Sequence, residues 1–117
     1  MIFVIDDDEI MRECITRACG DKSKIQDFSN AIEAMDAINE TNVPQLIFLD
    51  ILLDGPDGFT LLHELISYDD TAKIPIVIIS SLDLQNYDLS AYGVVGVLAK
   101  DQMKPQDIKR YVQKYTQ

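Results

Sequence analysis

The chain has 117 residues, of which 47% are hydrophobic and 26% charged, and its formal net charge at pH 7 is −10. This length and composition are typical of one soluble globular domain, and they exclude disordered and low-complexity chains. The negative charge disfavours direct binding to nucleic acid and to anionic membranes, and the sequence contains neither a membrane-spanning apolar run nor the basic start of a signal peptide.

Apolar residues follow two alternating patterns along the chain. Continuous apolar runs, such as residues 46–49, are typical of strands that are buried on both faces, whereas spacings of three and four residues predict amphipathic helices. The predicted elements are strand 2–5, helix 9–18, strand 24–28, a helix capped by Ser29 or Asn30, strand 46–49, helix 59–66, strand 76–79, a short helix 83–92, strand 94–98 and a helix beginning near Pro105. Five strand–helix units of this kind predict a parallel sheet that is covered by helices on both faces.

The two cysteines, Cys14 and Cys19, lie five positions apart in a predicted helix and therefore point to different faces. An intrachain disulfide is not expected at this spacing. Two unpaired thiols are typical of a reducing compartment, so we expect a cytoplasmic location.

Polar residues follow the apolar runs at the ends of four predicted strands. Asp6 and Asp7 follow the first strand and Asp50 the third, while Ser80 and Lys100 follow the fourth and fifth. In an open parallel sheet, ligands bind beyond the carboxyl ends of the strands. Clustered carboxylates need a cation or a raised pKa, and an oxygen ligand set without His or Cys favours Mg²⁺. An aspartate in such a cluster can accept a phosphoryl group whose oxygens bind a lysine and a hydroxyl.

Four motifs together carry a family resemblance. They are VIDDDE at 4–9, LIFLDILLDGPDG at 46–58, IPIVIISS at 74–81 and GVLAKD at 96–101. In this order and spacing the chain resembles the receiver domain of bacterial two-component response regulators, with one such domain over residues 1–117. The resemblance implies a doubly wound α/β fold, a flavodoxin-like three-layer sandwich whose five parallel strands have the order 2-1-3-4-5.

The resemblance also implies a role for each polar residue. Asp50 is expected to be the phosphoacceptor, Ser80 to hydrogen-bond the phosphoryl group and Lys100 to pair with its oxygens. The expected Mg²⁺ ligands are Asp6, Asp7, Asp50 and the main-chain carbonyl of Leu52.

By the same resemblance, the expected function is a phosphorylatable signalling switch. It takes its phosphoryl group from a sensor histidine kinase or phosphotransfer protein and regulates an output domain or partner by changing conformation. Beyond slow autodephosphorylation no enzyme activity is expected, and a dimer of two receivers is a further expected assembly.

The sequence departs from the family pattern at several positions. Val97 stands where the family often has an aromatic residue, and Asp101 stands where many members have proline. The segment from Ser80 to Lys100 is shorter than usual, which predicts a short or distorted fourth helix.

Two alternative functions remain open from the sequence. The departures favour a pseudo-receiver, a binding module that is never phosphorylated. The Asp6-Asp7-Asp8 run also fits a phosphatase of the haloacid dehalogenase type, with Asp6 as the nucleophile and Asp8 as the acid/base.

Overall fold

A computed structural model describes residues 1–51, 58–82, 84 and 88–116. Five parallel strands form one sheet in the order β2-β1-β3-β4-β5, so the predicted strand order is confirmed. The strands are β1 (Ile2–Ile5), β2 (Ile25–Phe28), β3 (Leu46–Asp50), β4 (Ile76–Ser80) and β5 (Val94–Ala99). The helices are α1 (Glu9–Cys19), α2 (Ala31–Ala37), α3 (Gly58–Ile66) and α4 (Pro105–Tyr115).

The sheet separates two apolar cores, because alternate residues of a strand point to opposite faces. On one face Phe3 and Leu49 pack with α2 and α3 residues such as Leu62. On the other face Phe48 and Val77 pack with α1 and α4 residues, including Ile15 and Ile108. Every residue of β1, β3 and β4 is buried, which explains why these strands read as continuous apolar runs.

Helix ends follow from local polar side chains. The Asp8 carboxylate accepts hydrogen bonds from the main-chain N–H groups of Ile10 and Met11 and so caps α1, while Asn30 caps α2 by accepting from the main-chain N–H of Glu33.

Cys14 and Cys19 are free thiols, and burial raises the pKa of Cys19 to about 12. Among the described residues no helix is long and apolar enough to cross a membrane.

In the part of segment 83–92 that the structure describes there is no regular α-helix, which corrects the predicted helix but confirms the prediction that this element is short or distorted. A single 3-10 turn spans Ser90–Tyr92, and Gly93 closes it with a φ of +79°. Asp88 Oδ1 accepts hydrogen bonds from the main-chain N–H and the hydroxyl of Ser90, at 3.1 and 2.6 Å. These local bonds compete with helical hydrogen bonding, so they favour a turn here. Residues 83 and 85–87 lie outside the described part of the chain.

Gly58 begins α3 directly against the carboxyl end of β3. Its main-chain N–H donates to the Ile51 carbonyl at 3.1 Å. A Cβ at this position would lie 2.7 Å from Ile51 Cα and 2.9 Å from the Asp50 carbonyl oxygen. Both neighbours are main-chain atoms next to Asp50, so a side chain here must displace the end of β3.

We therefore expect Gly58→Ala to lower the free energy of unfolding by about 2 kcal/mol, the scale of overpacking in a well-packed core. It should also alter Mg²⁺ binding, because the displaced atoms adjoin Asp50. Gly20→Ala is the control for substitution without crowding. The φ of Gly20 is +102°, which is unfavourable for a side chain, but a Cβ at this position meets nothing within 4 Å. Urea denaturation and Mg²⁺ titration of both variants check this, and a Gly58→Ala protein with wild-type stability would contradict it.

Candidate metal and phosphoacceptor site

Three carboxylates meet at the carboxyl edge of the sheet. Ile5 pairs with Leu49, so Asp6 and Asp50 follow side by side at the ends of neighbouring central strands. One carboxylate oxygen from each of Asp6, Asp7 and Asp50 lies within 4.8 Å of the others. The structure therefore brings together the three acidic side chains that were predicted to hold a metal ion.

Lys100 brings a positive charge to this cluster from the turn after β5. Its Nζ lies 3.0 Å from Asp50 Oδ2 and 3.6 Å from Asp6 Oδ2. Its main-chain N–H donates to the Ser80 carbonyl at 2.9 Å, which fixes the start of the turn. Partial burial works against the charged ammonium, but the hydrogen bond to Asp50 and the negative charges of Asp6 and Asp50 raise the pKa of Lys100. The lysine thus stays protonated beside both carboxylates.

Ser80 ends β4, the strand between β3 and β5. Its side chain is buried, and its Oγ accepts a hydrogen bond from the Leu82 main-chain N–H at 2.9 Å. Asp50 pairs with Ile79 in the sheet, so Ser80 belongs to the strand end next to Asp50. A hydroxyl is thereby placed on the same edge as the carboxylates and Lys100.

Asp6 is the most constrained of the three acids. It is fully buried: Oδ1 accepts from the Asp8 main-chain N–H at 2.9 Å, whereas Oδ2 has no hydrogen-bond partner. Burial raises the pKa of Asp6 to about 6; the Asp8 hydrogen bond and the Lys100 charge lower it, while the nearby Asp50 charge raises it further. The Lys100 ammonium lies 3.6 Å from Oδ2, but this buried oxygen accepts no hydrogen bond, which is costly, and a further cation would compensate it. The three carboxylates therefore fit a hard divalent cation such as Mg²⁺, which prefers oxygen ligands.

Asp8 does not belong to this cluster. Its carboxylate caps α1 through Ile10 and Met11, and its main-chain N–H is the group that binds Asp6 Oδ1. The phosphatase alternative requires Asp8 as an acid/base, and this capping role argues against it.

The main-chain carbonyl of Leu52, a predicted metal ligand, belongs to residues 52–57, which lie outside the described part of the chain. Val97, which stands where the family often has an aromatic residue, is on β5 and 44% exposed.

Arg12 is a site neighbour that the sequence analysis did not single out. Its guanidinium contacts the main-chain carbonyl of Asp6 and the side chain of Asp27 on β2. The available signal was a basic residue one turn into the helix that follows the acidic pair. That signal is weak without the strand order, because Asp27 is far away along the chain.

Comparison with known families agrees with this geometry. The sequence model of the family described as "Response regulator receiver domain" matches residues 2–113. The chain belongs to this family. Its 28%-identical relative from Oleidesulfovibrio alaskensis, protein-glutamate methylesterase/protein-glutamine glutaminase 2, aligns with 85% of the chain. The response regulator PleD of Caulobacter vibrioides is 31% identical over 86 residues, or 70% of the chain.

Solved structures give the same result for the fold. The receiver domain of NtrX from Brucella abortus superimposes with a TM-score of 0.81 at 27% identity, covering 98% of this chain and 97% of that domain. A response regulator from Chloroflexus aurantiacus gives 0.78 at 25% identity over 97% of this chain and 94% of that one. By contrast, the chain spans 29% of the methylesterase and 18% of PleD. The similarity therefore concerns only a part of these longer proteins.

The buried Asp6 carboxylate makes a prediction about pH. Because the pKa of Asp6 is raised from 3.8 to about 6, the folded protein binds this proton more tightly than the unfolded chain does. Without divalent cations, ionisation of Asp6 should therefore lower the free energy of unfolding as pH rises from about 4 to about 6, by about 3 kcal/mol. Asp6→Asn should lack this loss and be more stable than wild type at pH 7.5.

Chemical denaturation in EDTA between pH 4 and 8 measures this difference. Asp36→Asn is the control, because Asp36 is an exposed acid on α2. If wild type and Asp6→Asn keep a constant stability difference across this pH range, Asp6 is not the strained carboxylate that the geometry indicates.

Proposed function

We propose that this receiver domain is a phosphorylatable switch in which Asp50 accepts the phosphoryl group. The observation that carries the proposal is the convergence of Asp6, Asp7 and Asp50 with the Lys100 ammonium at one edge of the sheet. The Lys100 ammonium compensates the carboxylates and could bind the phosphoryl oxygens. We propose that residues 1–117 form this one domain.

Transfer of the phosphoryl group to Asp50 is a displacement at phosphorus. An Asp50 carboxylate oxygen forms the new O–P bond while the P–N bond of a donor phosphohistidine breaks, and the leaving imidazole takes up a proton. Mg²⁺ held by Asp6, Asp7 and Asp50 would neutralise charge on the transferring phosphoryl oxygens. Lys100, now paired with Asp50 Oδ2, would shift to a phosphoryl oxygen.

Ser80, like Lys100, would respond to phosphorylation of Asp50. Its Oγ now accepts from the Leu82 N–H, and its own hydroxyl proton can be donated to a phosphoryl oxygen. Such a bond would draw in the segment after β4. The proposed output is this local movement, read by an attached domain or a separate partner.

The proposed partners follow from the chemistry. A sensor histidine kinase or phosphotransfer protein supplies the phosphoryl group, and association of two receivers is a further proposed assembly. We propose a cytoplasmic location and no turnover of substrate beyond slow loss of the phosphoryl group from Asp50.

A pseudo-receiver remains the second candidate. It is favoured by the 3-10 turn at Ser90–Tyr92, since the described residues between Ser80 and Lys100 contain no α-helix, and by the exposed Val97. Neither feature belongs to the acidic cluster of Asp6, Asp7 and Asp50.

Incubation with acetyl phosphate followed by intact-protein mass spectrometry separates the two functions. We expect one phosphoryl adduct that requires Mg²⁺ and is absent in Asp50→Asn, while Asp36→Asn labels like wild type. Asp7→Ala should form no phosphoryl adduct, and addition of Mg²⁺ should make no difference to this variant. Lys100→Ala should still label but respond weakly in hydrogen exchange of β5, because Lys100 links β5 to Asp50.

No adduct in a folded protein that also fails to bind Mg²⁺ would favour the pseudo-receiver. An adduct that persists at full yield in Asp50→Asn would place the acceptor elsewhere.

A further inference from the structure

Arg12 joins three parts of the fold next to the acidic cluster. It lies on α1; its Nη1 donates to the main-chain carbonyl of Asp6 at 2.7 Å, and its Nε donates to Asp27 Oδ2 on β2 at 2.9 Å. The Arg12 side chain is 18% exposed, compared with 71% for Arg17 on the same helix. A planar guanidinium that donates in two directions at once has little freedom to move.

The carbonyl that Arg12 binds lies where the sheet's own hydrogen bonding ends. The Asp6 N–H donates to the Phe28 carbonyl at 3.1 Å, and Phe28 is the last residue of β2. Beyond that bond β2 has no further strand residue to satisfy the Asp6 carbonyl. The Arg12 guanidinium instead donates the hydrogen bond to the Asp6 carbonyl, and Asp27 holds the guanidinium in position.

Fixing this carbonyl also fixes Asp7. The carbonyl of Asp6 and the N–H of Asp7 belong to one planar peptide group, so orienting the first orients the start of the second residue. Asp6 is then held at its N–H by Phe28, at its carbonyl by Arg12 and at Oδ1 by the Asp8 N–H. Its remaining oxygen, Oδ2, is the one left without a hydrogen-bond donor.

We infer that Arg12 is a positioning residue for the divalent-cation site: clamped by Asp27, it holds the Asp6–Asp7 peptide so that both carboxylates meet Asp50. This inference rests on the proposed function, because it concerns the Mg²⁺ on which phosphoryl transfer depends. Arg12 acts through the main chain of a ligand, as outer partners of metal ligands do.

Isothermal titration of the full chain with Mg²⁺ tests the inference. Loss of an outer partner typically weakens metal binding by about tenfold or more, so we expect Arg12→Ala to raise the Mg²⁺ Kd by about tenfold. Asp27→Ala should raise it less, because the guanidinium keeps its bond to the Asp6 carbonyl. The double variant should match Arg12→Ala, since Asp27 acts through Arg12.

Arg17→Ala is the matched control on the same helix, and we expect it to bind Mg²⁺ like wild type. Arg12→Lys should restore part of the affinity, because an ammonium retains the charge but lacks the fork that spans both partners. Unfolding midpoints in EDTA separate the roles: a merely structural arginine would lower the midpoint and leave the Kd of the folded protein unchanged.

The two proposals fail in different ways. Wild-type Mg²⁺ affinity in folded Arg12→Ala would overturn the positioning role and leave the proposed function intact. Absence of Mg²⁺ binding and of a phosphoryl adduct in wild type would overturn both. If Arg12→Ala does not fold, Asp27→Ala and Arg12→Lys decide: wild-type Kd values in both would again overturn the positioning role.

Discussion

Two buried carboxylates lie side by side at the carboxyl edge of the sheet, and their repulsion is the constraint on which the rest of the site depends. Asp6 is 0% and Asp50 4% exposed, so solvent screens neither charge well. The positive charge that pairs with both is Lys100. With Asp7 also present, the three carboxylates outweigh the one ammonium among the named members of the cluster, and a divalent cation would balance the excess negative charge.

The apolar core beneath this edge cannot supply a positive charge or a hydrogen-bond donor to the carboxylates. Beneath the edge, β1, β3 and β4 contribute only buried apolar side chains, from Ile5 and Leu49 to Ile79. Compensation has to come from residues that follow the strands or from solutes that bind the edge. Lys100 arrives in this way from β5, and Gly58 keeps α3 close behind Asp50 without displacing it. The same compact core that buries the carboxylates thus creates their need for a ligand.

Much of this arrangement was predictable because it follows from local patterns. Continuous apolar runs identified the buried strands, and the residues that end those strands identified Asp6, Asp50, Ser80 and Lys100 as one group, since parallel strands end on the same edge. Segment 83–92 was predicted to be a short helix, but its described residues form one 3-10 turn, because apolar spacing did not reveal that Asp88 would accept hydrogen bonds from Ser90. Arg12 was missed because its partner Asp27 lies 15 residues away, and the predicted strand order does not specify which side chains of α1 and β2 meet.

We propose that the Asp6, Asp7 and Asp50 carboxylates form a divalent-cation site that prepares Asp50 for phosphoryl transfer. An anomalous difference map from crystals grown with Mn²⁺, a metal that also takes oxygen ligands, would reveal such a site. We expect one strong peak among the three carboxylates, within bonding distance of Asp6 or Asp7 and of Asp50. A map that shows Mn²⁺ bound elsewhere on the chain and no peak in this cluster would contradict it.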